Sequence, residues 1–185
     1  MEPQKDRVTY VHQIYIRATP QAVWDAITDP QWNGRYGYQA VSEYELKPGG
    51  KYRVQANAQM KGFGLPDTIL DGEVVEVNPI TRLVHTYRWL FNEQHEAEGF
   101  TRLTWEIEPT SAGFCRLIVT HDVTGAPMMA AATQTPFNEQ GGGGWNWILS
   151  DMKSLLETGK IMASTITAGR GPRNYRTLEP AVRPV

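Results

Sequence analysis

The feature that most constrains this chain is the stretch from Ala40 to Val123, which reads as strand after strand with turn chemistry between each pair. Segments near 40–46, 51–59, 69–77, 81–91, 100–108 and 114–123 are separated by Lys47-Pro48-Gly49-Gly50, Gly62 to Asp67, Asn78-Pro79, Asn92 to Gly99 and Pro109 to Gly113. Connections this short make neighbours antiparallel. In the last two segments Leu103, Trp105 and Ile107 alternate with Thr104, Glu106 and Glu108, and Leu117, Val119 and His121 alternate with Arg116, Ile118 and Thr120. The sheet therefore has one dry face and one wet face, and the dry face needs a cover.

The flanks supply it. Val8, Tyr10, His12, Ile14 and Ile16 alternate with Thr9, Val11, Gln13, Tyr15 and Arg17 as a first strand, and Thr19-Pro20 then opens a helix carrying Val23, Trp24 and Ile27 on one face until Asp29-Pro30 stops it. A short second helix or turn near Gln31 to Arg35 follows. At the far end Trp145, Ile148, Leu149, Met152, Leu155 and Leu156 fall at helical spacing, with Gly159 placed to end the helix in the left-handed conformation. Ala126 to Gln140 reads as a loop, and the Gly141 to Gly144 run as a hinge for the helix start.

Charge divides the chain. Residues 160–185 hold five basic side chains against one acid, leaving 13 basic and 19 acidic in residues 1–159, although the whole is only net -2. We read residues 1–160 as one domain and 161–185 as a basic tail, either mobile or docked on an acidic body. The near-neutral total argues against a nucleic-acid partner. No apolar run approaches the roughly 20 residues needed to cross a bilayer. The N-terminus does not fit a secretory leader, so a cytoplasmic location is expected.

The order of strand, helix pair, six antiparallel strands and long helix resembles the helix-grip fold of the START and birch-pollen-allergen superfamily, often called SRPBCC. The strings ATPQAVWDAITDP at 18–30, KPGGKY at 47–52, DGEVVEVNPITRLVHTYRW at 71–89 and GGWNWILSDMKSLLETGK at 143–160 are similar to the branch named for homologues of the activator of heat-shock protein 90 ATPase. The resemblance implies an α+β fold in which a curved antiparallel sheet of about seven strands wraps the C-terminal helix and encloses an apolar cavity. It does not imply one reaction, since relatives include ligand binders, polyketide cyclases and aromatases, and co-chaperone domains.

Tyr52, Tyr87, Trp89 and Trp105 from strands, with Trp145, Leu149 and Met152 from the long helix, are the expected cavity lining. His121 shares the inward parity of Leu117 and Val119, and His85 that of Tyr87 and Trp89. An inward imidazole can hydrogen-bond a ligand or move a proton, or it can be a satisfied core histidine. Glu73 is the second acid-base candidate if its strand turns it inward, a parity that Val74 opposes. Cys115, the sole cysteine, reads as a buried filler.

The four histidines are too dispersed for a metal site, and no cofactor is expected. Three functions fit: binding of an apolar or amphipathic molecule in the cavity, a cyclase or aromatase using His121 with Glu73 or Tyr87, and an interaction module with a chaperone partner. A homodimer is compatible with each.

Overall fold

The computed structural model describes residues 7–136 and 143–162. The Gly141 and Gly142 positions of the expected hinge and residues 163–185 of the expected tail lie outside the described residues.

Strand β1 (Thr9–Ile16) is followed by helices α1 (Pro20–Thr28) and α2 (Pro30–Asn33). Each helix has Pro in its first turn and a side-chain cap: Thr19 Oγ1 accepts from Ala22 N, and Asp29 Oδ1 accepts from Gln31 N. Six strands follow, β2 (Val41–Tyr44), β3 (Lys51–Gln55), β4 (Thr68–Asn78), β5 (Arg82–Trp89), β6 (Thr101–Pro109) and β7 (Cys115–Asp122). They form one antiparallel seven-stranded sheet in the order β1-β7-β6-β5-β4-β3-β2. The fold is the expected α+β grip. Its last described helix, α6 (Gly144–Thr158), lays Trp145, Leu149, Met152 and Leu155 into the same core cluster as Leu103, Trp105, Leu117 and Val119.

Strict alternation along β7, in which every second residue from Cys115 to His121 is buried, follows from one face packing on that core. Cys115 is buried, and its thiol donates to the Ala18 carbonyl at 3.2 Å.

Three helices occupy ground expected to be strand end or loop. Asn57 caps α3 (Ala58–Gly62), which ends β3 at Gln55 rather than 59, and Asn92 caps α4 (Glu93–Ala97). The third, α5 (Pro127–Gln134), replaces the expected loop after β7. It has no cap of its own; instead the Glu98 carboxylate, 30 residues earlier, accepts from Met128 N and Met129 N at 2.6 and 3.1 Å. A carboxylate suits the amides and positive dipole of a helix start wherever it comes from.

Where described, the glycine run is a packing element. Gly144 has φ 47°, and a Cβ there would lie 2.8 Å from the Thr133 carbonyl, so this close approach of α6 to α5 requires glycine. Gly72 is more constrained. It pairs with Tyr52 across β3, and an added Cβ would meet the Thr86 carbonyl oxygen at 2.0 Å. Gly72→Ala is therefore expected to open the β4–β5 ladder and lower stability by about 2 kcal/mol. Urea unfolding checks this, and a neutral substitution would contradict the packing described.

Candidate functional site

The dry face of β3, β5, β6 and β7, the segment joining α2 to β2, and the start of α6 enclose a cavity of about 360 Å³. Six of the nine residues expected to contact a ligand line it: Tyr52, Tyr87, Trp89, Trp105, His121 and Trp145. His85, Leu149 and Met152 are fully buried but sit outside the lining, His85 behind Tyr52 at a ring-centroid distance of 4.2 Å. Lining residues that the sequence did not single out include Tyr36, Tyr38, Tyr44, Phe91 and Ile148.

Glu73 must be corrected. It is exposed on the outer face, opposite Lys51, while Val74 beside it is fully buried. A bulge between Val74 and Glu76 shifts the β4 register against β5, so the inward parity read back from Val77 fails at both Val75 and Glu73, which are exposed.

The two inward histidines share one arrangement. An indole N–H can only donate, so the 3.2 Å contact from Trp145 Nε1 makes His121 Nδ1 the acceptor. The His121 proton is then on Nε2, which donates to Thr101 Oγ1 at 2.8 Å, and that hydroxyl donates to the Tyr87 carbonyl. Likewise Trp105 Nε1 donates to His85 Nε2 at 3.3 Å, which puts the other proton on Nδ1 against the Thr86 carbonyl at 2.9 Å. A second proton on either ring would face an indole N–H. Burial away from water adds to this and is the main cause that pulls His85 down to about 4 and His121 down to about 3, the two rings disfavouring each other's charge at His121. Both are neutral, fully bonded imidazoles at neutral pH.

Tyrosine hydroxyls supply the remaining polarity of this wall. Tyr44 and Tyr52 stack at 4.7 Å, and Tyr52 and Tyr87 at 6.2 Å. The Tyr52 hydroxyl lies beside Ser42 and Tyr44, and the Tyr87 hydroxyl beside Trp89. Desolvation pushes Tyr87 up to about 12 and holds Tyr36, Tyr44 and Tyr52 further above the ordinary phenol range. All stay protonated at neutral pH.

The segment between α2 and β2 is anchored by a residue the sequence reading passed over. Asp151 on α6 is fully buried, and its carboxylate accepts from Gly37 N at 2.8 Å and from Met162 N. Gly37 lies between Tyr36 and Tyr38, so this bond ties the cavity wall to the long helix. A charged residue at helical spacing carries no sequence sign that it turns inward to meet backbone amides. Among the described residues no group of three or more His, Cys, Asp or Glu side chains is gathered to hold a metal.

A family model described as activator of Hsp90 ATPase homolog 1-like protein matches residues 17–157, from the end of β1 nearly to the end of α6. The chain belongs to this family. Its grip fold recurs in solved structures. DynU16, a protein in the dynemicin biosynthetic locus, is 21% identical with a TM-score of 0.58, over 86% of this chain and 49% of that one. The Aha1 dimer from Colwellia psychrerythraea is 18% identical with a TM-score of 0.55, over 83% and 98%. CalU16 from Micromonospora echinospora is 18% identical with a TM-score of 0.50, over 66% and 64%. At these identities the likeness is one of fold. The chain thus spans about two thirds of CalU16 and half of DynU16. A comparison with curated proteins gives no match. No helix among the described residues of this family member is long and apolar enough to cross a membrane.

Proposed function

We propose that this activator-homologue domain binds an apolar or amphipathic small molecule between its sheet and α6, without covalent chemistry, and that residues 1–160 carry the binding. The observation that supports this reading is the cavity itself. Nine aromatic residues line a cavity of about 360 Å³, the size and apolar character of a small-molecule site. DynU16, a structural neighbour from a biosynthetic locus, is consistent with a fold that handles small molecules.

The geometry favours binding over cyclase or aromatase chemistry. Glu73 faces outward and both His121 nitrogens are committed, so neither acid-base candidate stands ready to exchange a proton with a ligand. A homodimer and a chaperone partner accord with the family description and with the Aha1 dimer among the neighbours. Neither needs the cavity.

A thermal-denaturation panel of fatty acids, sterols and aromatic polyketides tests the binding reading. A ligand at about 100 times its Kd raises stability by about 2.7 kcal/mol. At least one class is expected to do so, and a flat response across the panel contradicts the proposal.

A further inference from the structure

Resting on that reading, we infer that the cavity selects an uncharged, planar aromatic molecule that carries carbonyl oxygens.

Charge is the first argument. Among the described lining residues there is no Asp, Glu, Lys or Arg. The one imidazole, His121, is held neutral by the indole N–H that occupies its lone pair. A carboxylate or phosphate held among these side chains would find no counter-charge in the lining, which costs more than a hydrogen bond returns.

Counting protons gives the second. Tyr44, Tyr52 and Tyr87 present three phenol hydroxyls to the wall, all protonated at neutral pH and so able to donate. Among the described residues no hydrogen bond takes the proton of any of the three. The wall's acceptors are largely used: Asn33 Oδ1 by Ser42 N, and His121 Nδ1 by Trp145. Gln39 offers both donor and acceptor. The phenol protons are the donors this wall leaves free, and a ligand carbonyl is their complement.

Shape is the third argument. Tyr44, Tyr52 and Tyr87 stack in series, with interplanar angles of 30° and 25°, and Trp145 closes the space from α6. Walls of ring faces and edges favour a flat π-system.

Three matched probes test this: 9-fluorenone, fluorene and 9-oxofluorene-2-carboxylate, titrated calorimetrically into the full chain near neutral pH. Fluorenone is expected to bind roughly ten-fold tighter than fluorene, and the carboxylate at least roughly a hundred-fold more weakly than fluorenone. Tyr87→Phe should bring fluorenone down toward the fluorene level, with Tyr44→Phe as a second variant on the same row of phenols. Equal affinity for fluorenone and fluorene, or full affinity for the carboxylate, overturns the inference and leaves the binding reading standing. If none of the three binds while a fatty acid or sterol stabilises the protein, the inference falls and the binding reading stands; if that panel is flat as well, both fall.

Discussion

Acidification from about pH 7.5 to about pH 4.5 is expected to remove about 5 kcal/mol of folding stability, roughly a third or more of what a typical domain has. The cause is the pair of buried, indole-bonded imidazoles, His85 and His121, held down to about 4 and about 3 in the fold. In the unfolded chain both return to the ordinary value of about 6.5. Because the folded values are lower, the unfolded chain takes up protons first, and stability falls as pH drops below about 6.5 toward the folded values, at about 1.4 kcal/mol per pH unit for each ring. His95, buried against Trp89 and Phe91 and also lowered by desolvation, acts in the same direction. Urea unfolding across this range should show nearly two protons taken up per molecule unfolded at about pH 5. His121→Gln should reduce that number by about one. A pH-independent midpoint between about pH 6.5 and 4.5 would mean that the rings are solvated and the indole bonds are not formed.

Asp151→Ala is expected to cost about 3 kcal/mol, because it takes the acceptor from Gly37 N in a buried site and removes the bond from Met162 N. At roughly 2–4 °C per kcal/mol for a chain of this size, Tm should fall by roughly 6–12 °C. Asp151→Asn keeps one carbonyl acceptor and should lose about half as much. Both variants should also weaken ligand binding, since the bond to Gly37 holds the segment between Tyr36 and Tyr38 against α6. A Tm unchanged in Asp151→Ala would show that the carboxylate does not anchor this wall.

What was legible in the sequence follows from where the physical signal is local. Alternation along β6 and β7 placed Leu103, Trp105, Ile107, Leu117, Val119 and His121 inward, because both strands run without a bulge across a face that packs on one core. Helix α6 was legible for the same reason, its apolar face being continuous from Trp145 to Leu155 and its end marked by Gly159 at φ 72°. Glu73 was misread because one extra residue at the Val74–Glu76 bulge reverses the face of everything before it.

Helix α5 was missed because its cap is tertiary. Pro127 and the alanines after it favour a helix, but Ala126 gives no cap and the carboxylate that does belongs to Glu98. The cavity was half legible for a similar reason. The tryptophans and Tyr87 lie on strongly periodic elements, whereas Tyr36 and Tyr38 are brought in by an irregular segment whose path depends on Asp151. That dependence is set by a bond across 114 residues and leaves no local pattern.

The central claim is that a ligand enters the space between the sheet and α6, and the chain's six tryptophans report on it directly. Trp89, Trp105 and Trp145 line the cavity, while Trp24, Trp32 and Trp147 do not. In a two-dimensional ¹H–¹⁵N spectrum of the labelled protein, titration with 9-fluorenone should move the indole resonances of the first three and leave the other three in place. Shifts confined to Trp24, Trp32 and Trp147, or no shifts at ligand saturation, would contradict the account.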